Sequence, residues 1–249
     1  MLRAFGDGKL FGEPYGDGPY SVVWLHGWAR RGADFAAAAK ELEREGFSSV
    51  ALDLPGFGSS PPPEEMCGAR GYAAALVPIL HEISNEPVVL VGHSFGGRIA
   101  TALAAEHPEM VRAIVLTGVP LLRGAGSKRS PVRYRLVRWL HDRSLVSDAR
   151  MEAARQRHGS ADYRRAQGVM RDVLVVTVNE SYEDELSRIR VPVLMLWGQD
   201  DRDIPSEGAT RAMSLLTSAH TMRLIEGVGH MLPVEAPHEL AVSVRQALS

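Results

Sequence analysis

The sequence predicts an α/β fold: a doubly wound parallel sheet, interrupted late in the chain by a helical insertion. Three observations carry that expectation. Apolar, β-rich runs end in small or chemically competent residues at 21–27 (SVVWLHG), 48–56 (SSVALDLPG) and 87–94 (PVVLVGHS). Helical patterns separate these runs, as they must where parallel strands buried on both faces are joined by crossover helices. A long stretch, 121–187, then carries no buried-strand signal before the alternation resumes.

In chain order, the first strand leads into a helical pattern at 33–45. The second leads, through the short Pro-rich loop SSPPPEE (59–65), into another at 69–84. The third ends at Ser94, and a helix over 95–106 delivers the chain to a fourth strand, VRAIVLTGVP (111–120). After the interruption, VPVLMLWG (191–198) reads as a strand, 206–217 as a helix, HTMRLIEGVGH (220–230) as a strand, and 236–248 as a closing helix. The core is therefore expected in two pieces, 1–120 and 188–249. Between them Val132, Leu136, Trp139 and Leu140 fall at helical spacing, so 121–187 is expected to form a helical cap, or lid.

A chain of 249 residues fits one domain with an insertion. Its 45% hydrophobic and 23% charged residues exclude disordered and fibrous classes. The start, MLRAFGDGKLFGEPYGDG, lacks the apolar stretch of a secretory signal, and no run approaches the roughly 18 apolar residues of a membrane span. A cytoplasmic protein without stable membrane insertion, monomeric or homodimeric, is expected. Cys67 is the single cysteine, so an internal disulfide is excluded, and its neighbours offer no histidine to activate it.

Charge is unevenly placed. Residues 121–171 hold 13 Lys/Arg against 4 Asp/Glu, in a chain totalling 28 and 30. A basic insertion on an acidic body suits anionic substrates or a carrier such as coenzyme A; a solvated amphipathic helix is the plainer alternative. A net charge of −2 and the lack of a recognised module argue against nucleic-acid binding.

The chemistry concentrates at Gly92-His93-Ser94-Phe95-Gly96, a G-x-S-x-G pattern set directly after an apolar strand and before an alanine-rich helix. In isolation the pattern is a small-residue turn. In this context it makes Ser94 a candidate nucleophile on a sharp bend, with glycines needed on either side because side chains would collide there. The helix beginning at the serine aims unpaired amides and a positive dipole end at any oxyanion formed nearby.

A serine hydroxyl needs a base poised near neutral pH. His230, in the Gly-rich loop GVGHMLPVEAP, is the candidate. His26 lies in a loop expected to supply an oxyanion donor, and His93 adjoins the serine with its side chain expected to point elsewhere. The third member is a carboxylate that orients the imidazole. WGQDDRDIP offers Asp200, Asp201 and Asp203, and Asp201 is preferred because the turn from Gly198 to Pro205 projects it at the end of the strand. The backbone amides of Phe95 and Trp28 are the expected oxyanion donors. His26, Trp28, Arg98 and Trp139 are candidate substrate contacts, with burial against a core acid as the alternative for Arg98. No motif supplies metal ligands, a phosphate loop or a dinucleotide fingerprint, so no cofactor and no metal are expected.

Through HGW (26–28), DLPGFGSS (53–60), GHSFGGR (92–98), GQDDRDIP (198–205) and GHMLPVEAP (229–237), the chain resembles the α/β-hydrolase family nearly end to end. The resemblance implies an eight-stranded, mostly parallel sheet, a helical cap inserted after the sixth strand, and a site between them. Family members that open epoxides or remove halides carry aspartate at the elbow, which Ser94 argues against. What remains is acyl transfer to Ser94 and hydrolysis of a small carboxylic ester or related acyl substrate. HGW with DLPGFG looks like the carboxylesterases that act on pimeloyl esters, and GHSFGGR is similar to the menaquinone-pathway synthase that eliminates pyruvate. The alternatives are thus a C–C bond hydrolase or pyruvate-eliminating lyase, and a non-catalytic ligand-binding receptor of the same fold.

Overall fold

The structure is a computed structural model that describes residues 1–123 and 161–249 and, between them, 139, 143, 146, 147, 149–151 and 157. The strands are β1 (Arg3–Phe5), β2 (Leu10–Tyr15), β3 (Val22–Leu25), β4 (Ser49–Asp53), β5 (Val88–His93), β6 (Val111–Thr117), β7 (Val193–Gly198) and β8 (His220–Ile225). They form one 8-stranded sheet in the order β1-β2-β4-β3-β5-β6-β7-β8. β2 runs antiparallel to β1 and β4, and all pairings from β4 through β8 are parallel.

The helices among the described residues are α1 (Ala36–Arg44), α2 (Ala69–Ile83), α3 (Phe95–Glu106), α4 (Ala161–Arg165), α5 (Val169–Asn179), α6 (Glu183–Arg188), α7 (Ser206–Met213), α8 (Leu232–Glu235) and α9 (Pro237–Leu248). The continuous apolar strands acquire their meaning here, because alternate residues enter different cores. Val23, Leu25, Leu90, Ile114 and Leu116 pack with α2 and α3. Val22, Trp24, Val89, Val91 and Val115 pack with α1 and α9 on the opposite face. A strand covered on both sides has no solvent face on which to place polar residues.

The chain winds from β3 outward to β4, then crosses back to β5 and continues outward through β6 to β8. The winding reverses at β3 and β5, and ligands of open α/β sheets bind at the carboxyl ends of strands at such a point. The loop after β3 and the turn after β5 carry Gly27-Trp28 and Ser94.

Two differences from expectation lie at the sheet edges. The β1–β2 hairpin was not anticipated, because β1 has three residues and β2 carries Gly12 and Pro14. Its signal is the turn Gly6-Asp7-Gly8, with φ of 57°, 55° and 82°, since an Asp-Gly pair in the left-handed region is a hairpin signature. The last strand stops at Ile225 rather than reaching 230. Between β6 and β7 the described elements are helical, α4 to α6, while Val132, Leu136 and Leu140 lie outside the described residues. No helix among the described residues is long and apolar enough to cross a membrane.

Candidate active site

β5 ends in a bend at Ser94, whose φ of 49° and ψ of −107° place a non-glycine residue in a costly conformation. Its neighbours make the bend compulsory. A Cβ on Gly96 would lie 2.0 Å from the Leu25 carbonyl oxygen, and one on Gly92 would lie 2.4 Å from the Gly97 Cα. The Ser94 amide donates to the Thr117 carbonyl (2.9 Å) and the Gly96 amide to the His26 carbonyl (3.0 Å), so β3, β5, β6 and α3 meet at this one turn.

The loops after β7 and β8 bring Asp201 and His230 together. The Gln199 amide donates to the Ile225 carbonyl and the Asp200 amide to that of Val228, each at 2.9 Å, which lays the loops side by side. His230 Nδ1 donates to Asp201 Oδ2 at 2.8 Å. Asp201 Oδ1 accepts the amides of Ile204 (2.8 Å) and Asp203 (3.0 Å), while Asp200 and Asp203 are exposed. Burial alone would raise the Asp201 carboxyl; the His230 bond and those amides outweigh it and hold the group below its ordinary range. Such bonding fixes the proton on Nδ1 and leaves Nε2 as the basic nitrogen. The His230 loop is itself tied, because the Gly229 amide donates to Glu235 Oε2 at 2.6 Å. Sequence reasoning passed over Glu235, although an acid shortly after the candidate histidine was a visible signal.

His230 lies beside the elbow. A Cβ on Gly118, next to the residue that binds the Ser94 amide, would come 2.8 Å from His230 Cε1. The His230 ring centroid is 4.8 Å from that of His93, immediately before the serine. His93 therefore turns toward His230 rather than elsewhere. Its Nδ1 donates to the Thr117 carbonyl at 3.1 Å, and burial, reinforced by His230, pushes it down to about 3, so it stays neutral. Among the described residues no hydrogen bond joins Ser94 Oγ to His230, whose Nδ1 is held by Asp201.

The first turn of α3 presents the Phe95 amide at a helix N-terminus, where no intrahelical acceptor exists for it. The Gly27-Trp28 loop lies opposite, close enough that a Cβ on Gly27 would be 3.4 Å from Ser94 Cβ. Trp28 is half-buried, with its ring edge-on to Phe95 (5.4 Å) and Phe57 (5.0 Å). Phe57, from the DLPGFG loop, belongs to this aromatic wall and was not singled out from sequence.

Two of the candidate substrate contacts, His26 and Arg98, are committed to other partners. His26 is fully buried: Nδ1 donates to the Gly27 carbonyl (2.7 Å), Nε2 accepts the Leu54 amide (2.9 Å), and burial pushes the ring down to about 4. With both nitrogens engaged, it braces two loops and has no atom left for a substrate. Arg98 is also buried, and its Nη1 donates to the Thr177 carbonyl; it meets a backbone oxygen of the inserted helices rather than the core acid held as the alternative. Trp139 is 47% exposed, with the Arg143 guanidinium 4.0 Å from its ring centre.

The sequence profile of the Alpha/beta hydrolase family matches residues 22–243. A 2-hydroxy-6-oxo-2,4-heptadienoate hydrolase of Pseudomonas putida is 30% identical over 94% of this chain and 87% of its own length. A pimeloyl-[acyl-carrier protein] methyl ester esterase of Chromobacterium violaceum is 40% identical over 43% of this chain and 40% of its own. Among solved structures, an esterase from Exiguobacterium antarcticum superposes with a TM-score of 0.75 at 20% identity, covering 100% of this chain and 99% of that one, a likeness of fold.

Proposed function

This chain belongs to the alpha/beta hydrolase family, and from that premise we propose that it is a serine hydrolase of small carboxylic esters or related acyl substrates. Ser94 is the nucleophile, His230 the general base, Asp201 its orienting acid, and residues 121–187 a cap over the site. The Asp201–His230 bond of 2.8 Å, set beside a strained Ser94, carries this reading.

As Ser94 Oγ attacks the carbonyl carbon, His230 Nε2 takes its proton and Asp201 stabilises the resulting imidazolium. The charge on the former carbonyl oxygen is met by the amides of Phe95 and Trp28. His230 then protonates the departing alcohol, leaving an acyl-Ser94 ester. Water, activated by the same nitrogen, releases the acid and restores the serine. The sequence similarity to a hydrolase of a hydroxy-oxo-dienoate supports a second reading, in which the acyl group leaves a carbon rather than an oxygen.

Turnover of p-nitrophenyl acetate or butyrate is expected, with a loss of at least roughly a hundredfold in Ser94→Ala. A fluorophosphonate probe should label Ser94 alone. Labelling at another residue, or a wild type inert to the probe and to a panel of esters, thioesters and a diketone, overturns the reading and favours a ligand-binding role.

A further inference from the structure

Beyond the candidate triad, a cluster of charged groups around the buried Tyr182 joins the helices between β6 and β7 to the core. Tyr182, fully buried, lies between two guanidinium groups: Arg70 of α2, 5.0 Å from its ring centre, and Arg98 of α3, 5.9 Å away. Its hydroxyl donates to Glu180 Oε2 at 2.7 Å, and the same oxygen accepts the Ala69 amide at 2.9 Å, at the start of α2. Arg70 donates to Glu185 and to the Ser181 carbonyl, and Arg98 to the Thr177 carbonyl. Residues 177–185 are therefore stitched to two core helices at once.

The position of Arg98 gives the stitch a functional bearing. It stands one helical turn beyond Ser94, on the helix whose first amide is the proposed oxyanion donor. The other end of α5 reaches the same neighbourhood: Met170 Sδ lies 3.8 Å from the Tyr72 hydroxyl, and the Tyr72 ring packs 5.0 Å from Phe95. α5 thus spans from the aromatic wall beside the serine to the guanidinium beneath it. Side chains of the core helices α2 and α3 hold it near both ends.

We propose that Arg98 and Tyr182 are positioning residues that lock the return leg of the inserted segment onto the nucleophile-bearing helix, and so fix the roof of the substrate site over Ser94. The inference rests on the serine hydrolase reading. It assigns Arg98 no contact with substrate: one nitrogen is committed to Thr177 and the guanidinium faces the Tyr182 ring, a geometry that burial makes stronger.

The test compares wild type with Arg98→Met and Tyr182→Leu on p-nitrophenyl acetate, p-nitrophenyl octanoate and a p-nitrophenyl ester bearing a terminal carboxylate. Inactivation by a small organophosphate and hydrogen exchange of residues 169–188 complete the set. Both variants should raise KM for the two long esters alike, by roughly tenfold, and leave the organophosphate rate within about threefold. Exchange across 169–188 should quicken in both. A KM increase confined to the carboxylate ester would make Arg98 a substrate ligand and overturn the proposal. So would unchanged KM and exchange, or equal losses toward every reagent in proportion to unfolded protein. Should the wild type prove inert, the hydrolase reading fails on its own terms, and exchange still decides the lock.

Discussion

The loop after β7 carries three aspartates, and hydrogen bonding separates them. Asp201 is buried, takes two amides on one oxygen and gives the other to His230. Asp200 and Asp203 are exposed. Under the proposed roles, Asp201→Asn should cut kcat by about ten-thousandfold, because an amide in that place favours the wrong tautomer of His230. Asp203→Asn should stay within about threefold of wild type. Steady-state kinetics on one ester checks both, and the reverse ranking would remove Asp201 from its role. The Gly198–Pro205 frame already singled out Asp201 in the sequence. The role of His26 was hidden there, since HGW shows a histidine beside a loop but not that its nitrogens are spent on Gly27 and on Leu54, just past the end of β4. A partner 28 positions away is set by the pairing of β3 with β4, which no local pattern encodes.

At the scale of elements, the elbow is the place where strand, turn and helix are most tightly interlocked. Gly96→Ala would set a methyl group 2.0 Å from the Leu25 carbonyl oxygen, so either β3 or α3 must move. Overpacking of this kind costs about 1–3 kcal/mol and more where backbone is the obstacle. The expected result is a melting temperature lower by several degrees and a loss of fluorophosphonate labelling beyond the loss of folded protein. Unchanged labelling would show that the turn need not be so close. The same interlocking explains which elements were legible. Strands β3 to β7, covered on both faces, write unbroken apolar runs, and the loops at their carboxyl ends hold the motifs. β1 and β2, an antiparallel pair at one edge with mixed exposure, have sequences that look like loops, whereas β8 at the other edge was legible but overextended beyond Ile225. The junction of residues 177–185 with the core is the least legible part, because the Tyr182 contacts with Arg70 and Arg98 join positions more than 80 apart in the chain.

Across the whole molecule, neutral histidines locked inside the core should make folding sensitive to acid. Burial pushes His26 down to about 4 and His93, with His230 adding, to about 3, whereas an unfolded chain titrates both near 6.5. Below 6.5 the unfolded state therefore binds protons that the folded state refuses, and stability falls with pH until the folded values are reached. The stabilisation is complete above about pH 7 and is lost between about 6.5 and 4 for His26, and on toward 3 for His93. Asp201 works in the same direction over a lower window. Its folded value is depressed, so its contribution is present above the ordinary carboxylate range and disappears as pH drops through that range. Going from pH 7 to 5 should cost about 2 kcal/mol per buried histidine. Urea unfolding at the two pH values measures this directly. His93→Asn should be less stable at both, because the Thr117 bond and the contact with His230 are altered, yet its pH 7 to 5 difference should shrink by about the share of one histidine. A variant whose pH dependence matched that of wild type would mean that the His93 ring accepts a proton in the folded protein, and the view of it as a permanently neutral support for His230 would have to be abandoned.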